Sequence, residues 1–469
     1  LSVERVMDIC LKENPIGVVT CVGGQIPNNL ALKLEKLGIR ILGTSGVDVD
    51  RAEDREKFSR LLDDLGIHQP SWAKFESIED AEKFARKIGY PVLVRPSYVL
   101  SGSAMRIAWT QNQLRDFLMK ATNVSPEHPV VISKFIEEAI EVEVDAVSDG
   151  ENTIIGAVIE HVEHAGVHSG DAIMVIPPQS LNQETIGRII EYTKLIAKKL
   201  MVKGPFNIQF LVKDGIVYVI ECNLRASRSM PFTSKVNAIN LMKLASYPIL
   251  GEKIPLNDFN GFSSTIVGVK VPQFSFMQLK GADPILGVEM RSTGEVACLG
   301  ESFPEALYKA LLSAGFKIPE NGSNILITVG GLELNEKILS IAKIFGKLGF
   351  NIYATEHTAE YLIERGLKNI KVLYKVKEPT RKPNIMDALL NREIDLIINI
   401  PSSLTLNKYL EMLQDEYVIR RKAVELGIPI MTTLEGAYAL LKVISWSILN
   451  KPKIISLNQS MEKASFKLW

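Results

Sequence analysis

Alternating blocks of apolar and polar residues predict a mixed α/β protein. The stretch IGVVTCVGGQIPNNLALKLEKLG predicts a buried strand, a turn at Gly23 and Gly24 and a helix, and RILGT predicts a second strand. Further along, PVVISKFIEEAIEVEVDAVSDG and NTIIGAVIEHVE predict antiparallel strands, because short alternating runs are separated by Asp-Gly and similar turns. The hairpin FNIQFLVKDGIVYVIECN follows this block.

The pattern changes after FKIPENGSN. The apolar stretches ILITVGG, NIYAT, IKVLYKV, DLIINI and IPIMTT alternate with helical segments, which is typical of a small doubly wound parallel domain. The seam at Pro319 to Ser323 is the predicted boundary before this domain. The polar residues from Asn450 onwards are expected to form a loosely packed tail.

The composition narrows the classes of partner. The chain has 54 Lys and Arg residues against 54 Asp and Glu residues, so its formal net charge of zero gives no reason to expect nucleic acid or an anionic membrane. The four cysteines, Cys10, Cys21, Cys222 and Cys298, are scattered without a CxxC pair, which indicates thiols in a reducing compartment. No apolar run reaches the roughly 18–20 residues of a membrane span.

A loop of small residues follows a strand that ends in a cation, in RPSYVLSGSAM from Arg95 to Met105. Ser101, Gly102 and Ser103 allow close approach of the backbone to a ligand and offer N–H and hydroxyl donors, which suits a polyphosphate. An ordinary hairpin loop is the alternative, since small residues are common in loops.

The stretch EHVEHAGVHSGD contains three of the six histidines of the chain, His161, His164 and His168. A zinc site needs ligands at fixed spacing and a further ligand from elsewhere, and the sequence offers no obvious complement. A glycine-flanked loop at Gly166 to Ser169, with one histidine near a phosphate, is the more natural interpretation. A solvated loop without a role is the alternative.

Polar residues end the second strand of the predicted hairpin, in ECNLRASRS. Gln209 and Glu221 have inward parity on the two strands, and Asn223 follows on the same face by period two. Oxygen ligands of this kind suit Mg²⁺ completed by nucleotide phosphates. Arg225 and Arg228 would then neutralise a transferred phosphoryl group, whereas structural ion pairs are the alternative.

Ordered motifs along nearly the whole chain carry a family resemblance. They are VGGQIPNNLA, DRAEDREKFS, RPSYVLSGSAM, EVEVDA, EHAGVHSGD, NIQF, ECNLRASRS, DPILGVEMRSTGEV and YVIRRKA. In this order they resemble the large chain of carbamoyl phosphate synthetase, specifically its C-terminal half. The resemblance implies an α/β protein with an ATP-grasp fold, preceded by a partial pre-ATP-grasp α/β domain and followed by a small doubly wound parallel-sheet regulatory domain similar to methylglyoxal synthase.

The resemblance also implies domain boundaries. A partial pre-ATP-grasp domain is expected over residues 1–50 and the ATP-grasp carbamoyl phosphate synthesis domain over 51–317. The methylglyoxal synthase-like allosteric domain is expected over 318–450, and the tail over 451–469. Because this half of the family normally opens with another strand and helix before LSVERVMDI, the first domain is expected to be truncated at its N-terminus.

Matching motif positions imply the residues that contact ATP. In chain order these are Arg55, Arg95, Ser101, Gly102, Ser103, Lys134, Phe135, Ile136, Glu141, Gly166, Val167, His168, Ser169, Gln209 and Glu221. Within this set, the two arginines are implied to contact phosphates, the backbone at 134–136 to receive adenine, and Glu141 to bind the ribose. The implied metal ligands are Gln209, Glu221 and Asn223. Arg225 and Arg228 are the implied catalytic residues, facing carbamate and the γ-phosphate.

In the family, this half phosphorylates carbamate with ATP and Mg²⁺ or Mn²⁺, giving carbamoyl phosphate and ADP for arginine, urea or pyrimidine synthesis. The implied partners are the N-terminal synthetase half and an ammonia-supplying glutaminase, in the same chain or another. An oligomer is expected, without nucleic acid or a membrane as partner. The expected compartment is the cytoplasm, with the mitochondrion as the alternative.

A small-molecule effector is implied for the regulatory domain. Thr355, Thr358 and Asn399 match family positions for effector binding, and Lys375 resembles the lysine of nucleotide-regulated members. A nucleotide is therefore the favoured effector. The N-acetylglutamate-responsive pattern lacks its tryptophan here, and Val271 stands where ornithine-responsive members carry Glu.

Two other functions remain open at this point. One is a different ATP-grasp carboxylase or ligase, such as a biotin carboxylase, against which VHSGD, STGEV and the regulatory domain argue. The other is a catalytically silent fragment that binds nucleotide and effector, which the missing N-terminal elements favour. The intact Glu221, Asn223, Arg225 and Arg228 argue against a silent fragment.

Overall fold

The computed structural model describes residues 1–96, 105–124, 130–255, 266–330, 334–401, 406–456 and 458–459. Within this part of the chain the strands form four sheets, of two, four, seven and five strands. Helices cover these sheets, so the predicted α/β class is confirmed. No helix in the same residues is both long enough and apolar enough to cross a membrane.

The first segment pairs two short parallel strands with four helices. Its elements are α1 (Val3–Glu13), β1 (Val18–Val19), α2 (Gln25–Asn28), α3 (Ala31–Lys36), β2 (Ile41–Leu42) and α4 (Gly46–Glu53). The predicted buried strand is shorter than expected, because β2 is the one partner of β1 among the described strands and Val19 is exposed. The predicted glycine turn is present, and Gly24 has a φ of 81°, which favours glycine.

The second segment is a four-stranded antiparallel sheet in the order β3-β6-β4-β5. Its elements are α5 (Arg55–Asp64), β3 (Trp72–Phe75), α6 (Ile78–Ile88), β4 (Val92–Pro96), β5 (Arg106–Ala108), α7 (Gln111–Val124) and β6 (Val130–Lys134). A cluster that includes Ala85, Val92, Leu114 and Ile132 joins α6 and α7 to one face of this sheet. The opposite face is thereby left to meet the next sheet.

The third segment is a seven-stranded antiparallel sheet in the order β11-β10-β7-β8-β9-β12-β13. Its elements are β7 (Ile140–Asp149), β8 (Thr153–His164), β9 (Met174–Ile176), α8 (Gln183–Lys199), β10 (Lys203–Lys213), β11 (Ile216–Asn223), α9 (Met230–Val236), α10 (Leu241–Ile249), β12 (Val267–Gln273), β13 (Gly294–Gly300) and α11 (Phe303–Ser313). Alternate residues of β7 and β10, such as Val142, Val144, Phe206 and Phe210, pack with Ile189 of α8 in one core. The residues between them point to the other face.

The last segment is a parallel sheet in the order β16-β15-β14-β17-β18, so the predicted doubly wound arrangement is confirmed. Its elements are β14 (Asn324–Val329), α12 (Glu336–Lys347), β15 (Asn351–Thr355), α13 (Glu356–Glu364), β16 (Lys371–Leu373), α14 (Ile385–Leu390), β17 (Leu396–Ile400), α15 (Leu406–Leu426), β18 (Ile430–Met431) and α16 (Leu434–Leu449). Successive residues of β14 alternate between two cores: Ile325 and Ile327 pack with Phe345, whereas Leu326 packs with Ile419.

One apolar cluster spans the third and last segments. It contains Val269 of β12, Leu307 of α11, Ile327 of β14 and Leu440 of α16. Because close-packed interiors transmit small displacements, the parallel domain is mechanically connected to the seven-stranded sheet.

Packing of the parallel domain is open to a direct test at Phe345, which is fully buried and lies 5.5 Å from the ring of Phe350. We expect Phe345→Ala to lower the free energy of unfolding by about 3–5 kcal/mol, because the truncation leaves a cavity. Urea unfolding of the full chain, followed by circular dichroism, measures this loss. The control is Leu449→Ala at an 85% exposed position, with an expected change within about 0.5 kcal/mol. Equal losses in the two variants would contradict the assigned core.

Candidate active site

A cavity of about 290 Å³ lies between the four-stranded and seven-stranded sheets. Every described residue of the predicted ATP set lines it, namely Arg55, Arg95, Lys134, Phe135, Ile136, Glu141, Gly166, Val167, His168, Ser169, Gln209 and Glu221. Ser101, Gly102 and Ser103 lie outside the described residues. The cavity thus brings together side chains from both sheets and from the glycine-flanked loop after β8.

Two arginines with buried Nε atoms give the cavity positive charge. The Nε atoms of Arg55 and Arg95 have no hydrogen-bond partner within the described residues. Burial lowers the pKa of Arg55 to about 10, and the charge of Arg95 acts in the same direction while Glu221 opposes it. Nη1 of Arg55 donates to the carbonyl of Ile220. Because buried donors are normally satisfied, the unpartnered Nε atoms of Arg55 and Arg95 at the cavity wall indicate a site for an anionic ligand.

The predicted metal ligands lie at the edge of the seven-stranded sheet. Gln209 and Glu221 are directly opposite each other in the pairing of β10 with β11, as their parity predicted. The side-chain amide of Gln209 donates to Glu143 at 3.2 Å, and that of Asn223 donates to Glu221 at 3.0 Å. Both amide N–H groups are turned to carboxylates, which leaves the oxygen of Gln209 for another partner, while the oxygen of Asn223 accepts from Arg225 at 3.1 Å and has a second lone pair. The donor set therefore fits an oxygen-binding cation.

The two predicted catalytic arginines lie beside the cavity and are not among its described lining residues. Arg225 donates to Gln25 at 2.8 Å and to Asn223 at 3.1 Å. Arg228 contacts the sulfur of Met290 through its guanidinium group. Arg225 therefore links the metal-ligand edge to α2 in the first segment.

A row of buried ionisable groups continues from the cavity across the sheet, and only Glu141 among them has a role predicted from the sequence. Glu141, Glu143 and Asp145 alternate along β7, on the face away from α8. His161 lies between the first two, 3.9 Å from Glu141 and 3.4 Å from Glu143. Asn207 donates to Asp145 at 2.9 Å. The period-two carboxylates of EVEVDA were the available sequence signal for this row.

Burial sets the protonation of the row. It raises the pKa of Glu141 to about 7, with His161 opposing this rise and Glu143 adding to it. Burial also raises the pKa of Asp145, against the hydrogen bonds from Ser227 and Asn207. For Glu143 burial acts upward as well, but the neighbouring His161 holds its pKa below the usual value. Two neighbouring carboxyl groups on one strand therefore titrate in different ranges.

The three histidines of EHVEHAGVHSGD have different partners, and that of His161 is described above. His164 pairs with Glu435 of α16 at 3.2 Å, and the backbone N–H of His168 donates to Gly287 at 2.7 Å. Burial lowers the pKa of His168. In the described residues, no group of three or more His, Cys, Asp or Glu side chains is arranged to hold a metal ion. A metal at the sheet edge would therefore rely on amide and phosphate oxygens besides Glu221.

The predicted effector residues lie at the carboxyl ends of the parallel strands. Thr355 ends β15, and its hydroxyl donates to Thr358 at 3.2 Å. Asn399 lies in β17 opposite Thr328 and is fully buried. Lys375 follows β16, where its carbonyl accepts from Asn384 at 2.7 Å. Thr355 and Lys375 thus lie at the ends of the neighbouring strands β15 and β16, whereas β14 separates β15 from the β17 of Asn399. All of these positions are at the sheet edge where ligands bind in open α/β sheets.

The raised pKa of Glu141 makes stability depend on pH. Its folded-state value of about 7 lies above the ordinary 4.5, so the folded chain holds this proton more tightly than the unfolded chain. The resulting stability is complete below pH 4.5 and is lost as the pH rises through 7. We expect Glu141→Gln to gain about 2 kcal/mol relative to the parent chain between pH 5 and pH 8.

Urea unfolding of both proteins across this pH range measures the expected gain. The control is Glu137→Gln, which removes an exposed carboxylate four residues away, and its curve should run parallel to that of the parent chain. A Glu141→Gln curve that also runs parallel would show that Glu141 is ionised in the folded protein throughout the range.

The fold resembles that of biotin carboxylases. The biotin carboxylase–β-γ-ATP complex from Campylobacter jejuni superimposes with a TM-score of 0.54 at 17% identity, over 66% of this chain and 77% of that one. The biotin carboxylase domain of the Hydrogenobacter thermophilus 2-oxoglutarate carboxylase gives the same TM-score at 16% identity, over 66% of this chain and 76% of that one. The predicted ATP-grasp architecture is confirmed.

Three family models match successive parts of the chain. Residues 1–51 match the carbamoyl phosphate synthase preATP-grasp domain, and residues 54–256 match the carbamoyl-phosphate synthase L chain, ATP binding domain. Residues 337–432 match the MGS-like domain. The order of the models is the order of the segments described above.

Relatives extend the match to nearly the whole chain. The multifunctional protein URA2 of Saccharomyces cerevisiae is 46% identical over 96% of this chain and 20% of that protein. The carbamoyl phosphate synthase large chain of Archaeoglobus fulgidus is 45% identical over 98% of this chain and 42% of that protein. The mitochondrial carbamoyl-phosphate synthase [ammonia] of Aquarana catesbeiana is 45% identical over 95% of this chain and 30% of that protein. The chain thus spans less than half the length of each relative, and it belongs to the carbamoyl phosphate synthase large-chain family.

Proposed function

We propose that this chain phosphorylates carbamate with ATP, as the C-terminal half of a carbamoyl phosphate synthase large chain. A carbamate oxygen attacks the γ-phosphorus, the bond from that phosphorus to the β–γ bridging oxygen breaks, and carbamoyl phosphate and ADP are formed. The observation that carries the proposal is the cavity itself, which Arg55 and Arg95, with buried and unpartnered Nε atoms, line together with the Gln209–Glu221 pair. Such a wall suits phosphate and its metal together.

The nucleotide is held from both sheets in this proposal. Arg55 and Arg95 bind the phosphates, and Glu141 binds the ribose. The N–H groups of Lys134 and Phe135 already donate to backbone carbonyls at 2.7 and 3.2 Å. We therefore assign adenine recognition to the N–H of Ile136 and to the carbonyl oxygens of this segment. The loop of Gly166 to Ser169 closes the same cavity wall, and the loop containing Ser101 remains a predicted cover for the triphosphate.

Mg²⁺ or Mn²⁺ is the proposed metal, held by Gln209, Glu221 and Asn223. When bound, it would neutralise negative charge on the phosphates. Arg225 and Arg228 are the proposed catalytic residues. Arg225 orients the metal edge through its bond to Asn223, and Arg228 exchanges its contact with Met290 for oxygens of carbamate and the γ-phosphate. Positioning and charge neutralisation carry the catalysis, since the transfer requires little covalent chemistry from the protein.

The remaining proposals concern the partners, the compartment, the effector and the domain boundaries. We assign the N-terminal synthetase half and an ammonia-supplying glutaminase as partners, in the same chain or another, within an oligomer. The proposed compartment is the cytoplasm, with the mitochondrion as the alternative, and the proposed effector is a nucleotide at Thr355, Thr358, Lys375 and Asn399. The boundaries near residues 50, 317 and 450 also remain proposals.

A silent nucleotide-binding fragment is the second candidate. The position of Arg225 and Arg228 beside the cavity, outside its described lining, is the observation that favours it. Nucleotide binding is common to both candidates, so phosphoryl transfer is the quantity that separates them.

The decisive measurement is ATP synthesis from carbamoyl phosphate and MgADP, the reverse of the proposed step. We expect activity in the parent chain and a loss of about 10²–10³-fold in Arg228→Ala, because a charge that stabilises the transferred group is removed. The control is Arg188→Ala, which removes a guanidinium whose partner is an exposed glutamate on α8. A folded parent chain that binds MgADP without making ATP would establish the silent fragment.

The metal assignment has its own test at Glu221. A bound nucleotide raises the melting temperature by mass action, and we expect Glu221→Gln to abolish most of the additional shift that Mg²⁺ gives to ADP. Differential scanning fluorimetry with ADP, with and without Mg²⁺, measures both shifts. Glu184→Gln, at a side chain that is 83% exposed on α8, should keep the parent response. An unchanged Mg²⁺ response in Glu221→Gln would remove this residue from the metal site.

A further inference from the structure

Arg420 on α15 is a fully buried cation that joins the parallel domain to the loop between β12 and β13. We call this loop, residues 274–293, the bridging loop. Arg420 binds both carboxylate oxygens of Asp283 in the bridging loop, Nε to Oδ1 and Nη2 to Oδ2, each at 2.6 Å. Such a bidentate pair fixes orientation as well as distance.

The same guanidinium reaches the predicted effector edge. Its Nη1 donates to Oδ1 of Asn399 at 2.8 Å, and Glu416 lies 3.8 Å away on the same helix. Asn399 is fully buried, and within the described part of the chain its Nδ2 has no hydrogen-bond partner. One arginine therefore bonds simultaneously to β17 of the parallel domain and to a loop of the synthetase domain.

Beyond Asp283, the bridging loop runs along the cavity. The carbonyl of Gly287 accepts from the N–H of His168 at 2.7 Å, and Val288 lines the cavity. Met290 contacts Arg228. The loop thus contacts one residue of the predicted nucleotide pocket and one of the two predicted catalytic arginines.

A second path returns from the loop to the glycine-flanked region. The carbonyl of Asp283 accepts from the guanidinium of Arg291 at 2.7 Å. The backbone N–H groups of Arg291 and Ser292 each donate to Asp171 at 2.8 Å, and Asp171 is fully buried three residues after His168. The N–H of Asp171 in turn donates to the carbonyl of His168 at 2.8 Å. Hydrogen bonds therefore connect Asn399 to His168 through Arg420, Asp283, Arg291 and Asp171.

The neighbouring Arg421 also binds the bridging loop, but only through backbone carbonyls of that loop. It donates to the carbonyls of Phe276, Leu279 and Ala282, at 2.9, 3.0 and 3.3 Å. These contacts hold the first half of the bridging loop against α15 without a bond to β17. The two adjacent arginines therefore contact one loop but differ in whether they connect it to the effector edge.

We propose that Arg420 is a positioning residue that couples the carboxyl end of β17 to the nucleotide cavity, by fixing the bridging loop through Asp283. This proposal rests on the proposed function, because it assigns the regulation of that same site. A small molecule that binds Oδ1 of Asn399 displaces the hydrogen bond from Arg420 and so alters the bidentate pair of Arg420 with Asp283. The bridging loop then shifts, and Gly287 and Met290 shift with it. Nucleotide affinity then differs between the two states of the link, as allosteric coupling requires.

The test measures MgADP binding by calorimetry on the full chain, without any turnover. We expect Arg420→Lys to raise the Kd for MgADP by about fivefold or more, because one ammonium group cannot bind Asp283 bidentately and Asn399 at once. Asp283→Asn should have a similar effect, and the double variant should add little to either single variant. Asn399→Ala should act in the same direction.

Arg421→Lys is the matched control, since it weakens contacts to the same loop from the same helix without a link to β17. We expect it to leave the Kd for MgADP near that of the parent chain. Hydrogen exchange followed by mass spectrometry adds a local readout: segment 284–292 should exchange faster in Arg420→Lys and remain at the parent rate in Arg421→Lys.

Two results would overturn the coupling. One is a folded Arg420→Lys variant with the parent Kd and parent exchange in 284–292. The other is an equal loss in Arg420→Lys and Arg421→Lys, which would reduce Arg420 to a general domain anchor. A parent chain that does not bind MgADP would instead contradict the proposed function, so the two failures are distinguishable.

Discussion

The site depends on the pairing register of two strands, β7 and β10. This register sends Val142, Val144, Phe206 and Phe210 into the core beneath α8 and turns the intervening carboxylates and amides to the cavity side. A slip of one residue would exchange the two faces and force carboxylates into an apolar core. The same pairing therefore creates the core and positions the cavity wall, so neither can change without the other.

The cavity wall balances charges of both signs at short range. Arg55 and Arg95 stand against Glu221 and Glu141: the charge of Glu221 opposes the lowering of both arginine pKa values by burial, and Arg95 opposes the rise in the pKa of Glu141. A wall of one sign would accept either a metal ion or a polyphosphate, whereas this mixture suits a ligand that carries both. Burial strengthens each of these interactions, because little solvent screens them.

Local pattern was sufficient to predict most of the sheet architecture, whereas the family resemblance supplied most of the residues that line the cavity. Period-two alternation placed Gln209 opposite Glu221, and the alternating βα pattern gave the parallel domain. Local pattern did not predict the features that depend on contacts between distant parts of the chain. The first strand covers only Val18–Val19, and among the described strands it pairs with β2 alone. The pairing of Arg420 with Asp283 joins residues far apart in sequence, and no local periodicity reports such a contact.

The hydrogen bond from Arg225 to Gln25 makes the first segment part of the site. Gln25 also donates to Glu53, which in turn accepts from Asn28, so α2 is held to the end of α4. A shorter protein that began with the ATP-binding match at residue 54 would lose this support. Its Arg225 would lose the hydrogen bond to Gln25 and keep the one to Asn223. The proposed metal ligand Asn223 would then be held by a more mobile side chain. Residues that support the candidate site therefore lie outside the ATP-binding match, in the first segment.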